Sequence, residues 1–244
     1  MRKLRWRRVR LWRATEVDKL KKLIADAGRV LAHEGQGDYV AGHVSLRLPD
    51  DPNLFLMKPA GIGLEEMTDE NIITVDVEGN KVSGGGGRHN EVFIHSEVLR
   101  ARHDCNAVVH THAAYVVAFS SLGKPLQAVS NDGAFFANGL PVFDETTELI
   151  ITQARGRAVA RDLAHHGALI LRNHGIVTAA SSMEQAVWLA LKLNQACEVQ
   201  LMAEWAGGAK LVGDPGEARV KGAYAARPDI FHGVFNYVLR RAQK

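Results

Sequence analysis

Residues Asn106–Val117 read NAVVHTHAAYVV. Two histidines, His110 and His112, interrupt a run that is otherwise almost wholly apolar. Side chains alternate across a strand, so positions i and i+2 share a face. A strand from Ala107 to His112 therefore projects both imidazoles to one side and Thr111 to the other. Two imidazoles so placed can grip one divalent metal, or they can pair by hydrogen bonding inside a core.

Downstream, a helix is expected over about residues 113–122, then a strand in PLQAVS (125–130). The segment 145–164, ETTELIITQARGRAVARDLA, has helical spacing, with a break expected at Gly156. ALILRN (168–173) and GIVTAA (175–180) read as strands on either side of His174. A long helix follows over 181–206, opened by a Ser181/Glu184 capping box. Upstream, Val17, Leu20, Ile24, Ala27 and Leu31 recur at helical spacing, with Thr15 as the cap and Gly35 as the stop. HVSLRLP alternates: Val44, Leu46 and Leu48 face one way, His43, Ser45 and Arg47 the other, the pattern of a half-buried strand. LFLMK is a second strand, and ITVDVEGNKVSGGGG a hairpin turning at Gly79-Asn80 before a glycine loop at 84–87. RHNEVFIHSEVLRAR then reads as a helix capped by Asn90. Short strands and hairpins mixed with helices predict one sheet with helices packed on it.

Composition narrows the function. The 244 residues are 46% hydrophobic and 23% charged, ordinary for a globular chain long enough for one large α/β domain. No apolar run approaches the ~18–20 residues a membrane span needs. Cys105 and Cys197 are too few for a disulfide framework, which predicts a reducing cytoplasm. The net charge of +3 hides an asymmetry, because residues 1–13 hold seven Lys/Arg and no acid. An acid-free, Arg-rich start can serve an anionic surface or act as a targeting segment; the expectation here is a disordered basic arm over 1–13. No second basic cluster accompanies it, so neither nucleic acid nor membrane is expected as a partner.

Two further residues join the histidine pair. His174 ends an apolar strand in LILRNHG, and Glu91 heads a helix after the glycine loop. Taken singly, the first reads as a turn histidine and the second as a carboxylate facing a helix N-terminus. Taken together with His110 and His112, they make a His₃ or His₃Glu set able to hold Zn²⁺, Mn²⁺ or Fe²⁺. Asp132 could orient one of these imidazoles, but the expected reading is an ordinary loop acid.

Glu91, HTH at 110–112 and NHG at 173–175, with GHVSLRLP, MKPAGIGLEEMT and AVVHTHAAYVVAFSSLGKPL in that order, resemble the class II aldolase/adducin family. The resemblance covers roughly residues 14–206. It implies a single three-layer α/β/α domain over 14–208 around a mostly antiparallel sheet, with 209–244 left as a loop-rich tail holding one short helix. It also implies a homotetramer with active sites at subunit interfaces. By resemblance His110, His112 and His174 are the metal ligands, one divalent ion per subunit, and Glu91 is the acid/base.

The departures from the sugar-phosphate aldolases of that family are informative. Those carry Asn where this chain has His43, Thr where it has Ala60, and two serines where it reads RHNE; their tyrosine is replaced near Asn131. The phosphate cradle is gone. GHVS, KPAG, RHNE, HTH and RNHG resemble instead the metal-dependent decarboxylases of hydroxylated aromatic or pyridine dicarboxylates. His43, Ser45, Lys58, Gly61, Arg88, His89 and Asn90 are then expected to meet a small carboxylate substrate. Three alternatives stand beside this expectation: an aldolase for a non-phosphorylated hydroxy-keto acid, an iron-dependent oxygenase, and a non-catalytic adducin-like binding module.

Overall fold

A computed structural model describes residues 2–208, 210–211 and 214–244, with side chains from residue 16 onward. Helix α1 (Arg2–Leu31) closes in a π turn (Ala32–Gln36), where Gly35 adopts a φ of 74°, the stop its sequence signals. Strands β1 (His43–Leu48), β2 (Asp51–Met57), β3 (Ile73–Asp76) and β4 (Lys81–Ser83) form a meander. Then come α2 (Val92–Ala101), β5 (Ala107–Thr111), α3 (Ala114–Ser120), β6 (Val142–Phe143), α4 (Gln153–Leu163), β7 (Ala168–Leu171) and β8 (Gly175–Ala180). Helices α5 (Met183–Trp205), α6 (Pro215–Ala225) and α7 (Pro228–Ala242) complete the chain.

The strands form one sheet in the order β4-β3-β2-β1-β5-β8-β7-β6, antiparallel at every junction except β6–β7. One face buries Val44, Leu56, Val109, Ile170 and Ile176 with residues of α1, α3, α5 and α7. The other buries Phe55, Val75, Val108, Leu169 and Val177 beneath α2 and α4. This is the expected three-layer α/β/α sandwich, with β5, the histidine strand, near its centre.

Several local expectations give way to tertiary contacts. Residues 2–13, expected as a separate disordered arm, continue α1, so Thr15 is interior and not a cap; no Pro or Gly interrupts this stretch. PLQAVS is not a strand: Gln127 N–H donates to Gln200 Oε1 (2.8 Å), and Gln200 Nε2 donates to Pro125 O (3.2 Å). A buried glutamine on α5 thus supplies partners that a neighbouring strand would otherwise give. Residues 145–152 stay outside α4 because Thr152 caps it, accepting Arg155 N–H. Gly156 does not break that helix; its missing Cβ lets α4 approach α2, since one there would lie 2.4 Å from Phe93 O.

The caps of α2 and α5 shift by one residue from expectation. Glu91, not Asn90, is the N-cap of α2, and Ser182, not Ser181, caps α5 by accepting Gln185 N–H. The polar side of β1 is also not open. His43, Ser45 and Arg47 are buried under α2, so β1 is covered on both faces. The tail is helical: α7 seats Phe235 and Val238 in the same core as α1 and α5, and is part of the domain.

Candidate metal centre

Three breaks in regular structure converge on one spot. His110 is the penultimate residue of β5, and His112 follows directly after the strand. His174 lies in the turn joining β7 to β8, where Asn173 has a φ of 57° and donates its N–H to Ser120 Oγ (2.9 Å). Gly175 is needed there: a Cβ on it would sit 2.4 Å from Thr111 O, so only glycine lets β8 run this close to β5. Glu91 enters from the opposite layer at the N-cap of α2.

The three imidazoles form a nearly equilateral triangle, with centroid separations of 5.1, 5.0 and 5.0 Å. One donor atom from each of Glu91, His110, His112 and His174 lies within 4.8 Å of the others. Glu91 Oε2 is 3.6 Å from His174 Nε2 and 3.9 Å from His110 Nε2. Glu91 Oε1 accepts the Ile150 N–H at 2.8 Å, which leaves Oε2 as the oxygen facing the histidines.

The hydrogen bonds behind the triangle set the tautomers. His110 Nδ1 is 2.8 Å from Ile176 O, which can only accept, so Nδ1 carries the proton and Nε2 a lone pair. His112 Nδ1 is 2.7 Å from the Asp38 carboxylate and donates to it, leaving its Nε2 bare in the same way. Burial, reinforced by His174, pushes the His110 pKa well below 6.5 and keeps the ring neutral. Burial disfavours the Glu91 charge, but the neighbouring His174 and His110 imidazoles and the Ile150 N–H outweigh it. Its carboxyl is held well below the usual carboxylate range.

Nε2 of His110, His112 and His174 are all buried and without a hydrogen-bond partner. Buried polar atoms are rarely left unpaired, and three on adjacent rings share one explanation. Converging lone pairs beside a carboxylate form the donor set of a divalent cation. These residues fit the metal that the sequence pattern implies.

The remaining sequence-predicted residues fall into distinct places. His43 lies directly opposite His110 in the β1–β5 ladder, with ring centroids 4.9 Å apart. Ser45 is fully buried and meets His95 instead of the centre. Lys58 is also fully buried: its Nζ donates to Val40 O (3.0 Å) and Pro59 O (3.4 Å) and lies 3.1 Å from His89 Nε2. Burial lowers its pKa to about 8. His89 is beside it, its own pKa lowered to about 4 by burial and then by Lys58. Arg88 is half-buried, its guanidinium over Phe93 and bonded to His89 O, while Asn90 and Gly61 are exposed.

One residue of the site, Asp38, escaped sequence reasoning, and another, His95, was expected chiefly to pack. Asp38, not Asp132, holds an imidazole of the cluster, that of His112; Asp132 pairs with Lys192 at 3.0 Å. His95, which spacing places only one turn from Glu91, is bonded to both His43 and Ser45.

The family described as Class II Aldolase and Adducin N-terminal domain matches residues 22–201. The chain belongs to this family. A 3,4-dihydroxyphthalate decarboxylase from Arthrobacter keyseri is 35% identical over 206 residues, covering 78% of this chain and 80% of that protein. A 4-hydroxy-3-prenylphenylpyruvate oxygenase/4-hydroxy-3-prenylbenzoate synthase from Streptomyces roseochromogenus subsp. oscitans is 34% identical over 71% of this chain; the match spans 63% of that relative's length. Among solved structures, the L-fuculose 1-phosphate aldolase from Glaciozyma antarctica PI12 superposes with a TM-score of 0.84 at 28% identity. That match covers 95% of this chain and 91% of the aldolase. Class II aldolase relatives thus span decarboxylation, oxygenation and aldol cleavage on one scaffold. Among the described residues no helix is long and apolar enough to cross a membrane.

Proposed function

We propose that this chain is a divalent-metal-dependent carbon–carbon lyase that decarboxylates a hydroxylated aromatic or heteroaromatic (di)carboxylate. The observation that carries the reading is the set of three partnerless, buried Nε2 atoms facing Glu91 Oε2. The decarboxylase relative supports the choice of reaction, and the loss of the phosphate-binding pattern supports a non-phosphorylated substrate.

His110, His112 and His174 would hold the metal, with Zn²⁺, Mn²⁺ and Fe²⁺ all suited to imidazole and carboxylate donors. When bound, the ion supplies a Lewis acid that stabilises negative charge developing on substrate oxygen. Ile176 O and Asp38 lock His110 and His112 in the tautomer that presents Nε2. In the reaction the bond from ring carbon to carboxylate breaks, CO₂ leaves, and the electron pair stays on the ring. A proton then forms the new C–H bond. Glu91 Oε2, an anion at rest, takes up the proton that the substrate's ring hydroxyl gives up and returns it to the ring carbon, while the Ile150 N–H fixes Oε1 and hence the direction of Oε2. A second substrate carboxylate is served by Lys58, a cation whose present hydrogen-bond partners are all neutral, and by His43, with Arg88, His89, Asn90 and Gly61 at the rim. The free, buried cysteines agree with a cytoplasmic setting, and family membership with a homotetramer whose subunits meet near the site.

Mass-spectrometric metal analysis of the purified protein, followed by CO₂ release from a panel of ortho-hydroxy aromatic dicarboxylates, tests this reading. Metal-dependent CO₂ release is the expected outcome. Pyruvate or an aldehyde as product would identify an aldolase, and oxygen consumption an oxygenase. Full activity after metal removal would overturn the proposal.

A further inference from the structure

Beside the metal centre, three buried side chains form a hydrogen-bonded line. Ser45 Oγ lies 2.6 Å from His95 Nδ1, and His95 Nε2 lies 2.6 Å from His43 Nδ1. Ser45 and His95 have no exposure and His43 has 2%. The direction of the protons along this line follows from its closed end. A hydroxyl always carries a proton, and among the described residues Ser45 has only His95 Nδ1 to receive it. Leaving a buried donor orphaned costs more than an ordinary hydrogen bond returns, so Ser45 donates.

The rest is bookkeeping of one proton per ring. His95 Nδ1 accepts, so the proton of His95 is on Nε2 and is given to His43 Nδ1. His43 Nδ1 accepts in turn, so the single proton of His43 sits on Nε2. That nitrogen has no hydrogen-bond partner among the described residues. It is on the side of the ring away from His95, and β1 pairing puts His43 on the same sheet face as His110.

We infer that Ser45 and His95 are positioning residues that fix His43 as a neutral Nε2–H donor, directed at an acceptor-only oxygen of the substrate, such as a carboxylate, next to the metal ligands. The tautomer is the reverse of that in His110 and His112, whose Nε2 atoms are bare. Four clustered imidazoles thereby divide into ligands and one donor, and His43 is excluded as a further ligand. Ser45, placed by its sequence motif among substrate contacts, acts instead through two rings. Only the nature of the oxygen rests on the decarboxylase reading; the proton order does not.

Long-range proton–nitrogen NMR on histidine-¹⁵N-labelled, zinc-loaded protein reads the tautomers directly. Both His43 and His95 are expected as Nε2–H forms. In Ser45→Ala the order is lost, calorimetric affinity for the probe 2-hydroxybenzoate falls roughly tenfold, and zinc affinity is unchanged. Ser45→Thr, which keeps the hydroxyl, restores both tautomer and probe binding. A merely structural serine would change stability without moving the tautomer. His43 protonated on Nδ1 in the wild type overturns the inference, and that spectrum decides even if the variants do not fold. Unchanged tautomers and probe affinity in a folded Ser45→Ala protein also overturn it. Failure to release CO₂ from any hydroxy-aromatic acid removes the decarboxylase reading while leaving the tautomer result in place.

Discussion

Asp38→Ala isolates the contribution of a residue that touches no proposed ligand atom. Asp38 Oδ2 accepts from His112 Nδ1 at 2.7 Å and so holds the His112 lone pair at Nε2. Without the carboxylate the ring is free to turn and to sample the other tautomer, both of which must be reversed on metal binding. Loss of such an outer partner costs about 10–100-fold in metal affinity. The Asp38 side chain is 42% exposed, so solvent screens the pair and places the effect near the lower end, about tenfold or ~1.4 kcal/mol. Removing the ligand itself in His112→Ala deletes a donor and should cost far more. Asp38→Asn, whose amide oxygen still accepts from Nδ1–H, should lie between wild type and Asp38→Ala. Zinc competition against a chromophoric chelator gives the three affinities, with circular dichroism of the metal-free proteins as the control for folding. Wild-type affinity in Asp38→Ala would mean that the carboxylate does not set the tautomer. A loss as large as that of His112→Ala would mean that Asp38 is itself a ligand. Either result refutes the reasoning.

Three other outcomes are expected. Glu91→Gln retains an acceptor for the Ile150 N–H but not the proton-transfer group, so it should keep bound metal by mass spectrometry while turnover falls about 10²-fold or more; equal turnover removes Glu91 from the chemistry. Gly→Ala within a helix ordinarily gains about 1 kcal/mol, but at Gly156 the new Cβ would meet Phe93 O at 2.4 Å, so Gly156→Ala should lose roughly 1–3 kcal/mol in urea unfolding. A variant as stable as wild type would show that α2 and α4 can part without cost. Burial, then His89, lowers the His95 pKa to about 3, against about 6.5 in the unfolded chain. Below about pH 6.5 the unfolded state therefore takes up a proton that the folded state refuses, and stability falls as pH drops towards 3, by up to ~1.4 kcal/mol per pH unit for this group. A flat urea midpoint between pH 6.5 and 4.5 contradicts a neutral, buried His95.

The cluster of Glu91, His110, His112 and His174 was legible because its signals are local. An HxH pair in an apolar run, a histidine at a strand end and a carboxylate at a helix start each follow from spacing. Asp38 has no such signal; it reaches His112 across 74 residues, through the turn that Gly35 allows after α1. PLQAVS fails for a related reason, since its backbone partners come from Gln200 on a distant helix. Helix α6 carries a legible start, Asp214 as cap and Pro215 in the first turn. Its packing hid it: Gly222 lies so close to Ala134 O that a Cβ would be 2.3 Å away. An interface built on small residues leaves no apolar stripe to read.

Strand β1 shows where alternation misleads. Its period correctly separates Val44 and Leu46 from His43, Ser45 and Arg47, but period says only that the two faces differ. Water on the polar face is an added assumption, and here α2 covers that face instead. Burying these groups costs free energy unless each finds a partner. Arg47 finds carbonyls at the end of α2, donating to Arg102 O and Cys105 O, and His43 and Ser45 find His95. Polar contacts thus fix α2 on the sheet along this edge, and the helix that they hold in register begins at Glu91. The positions that read as solvent-facing therefore set where the carboxylate stands relative to the histidines of β5.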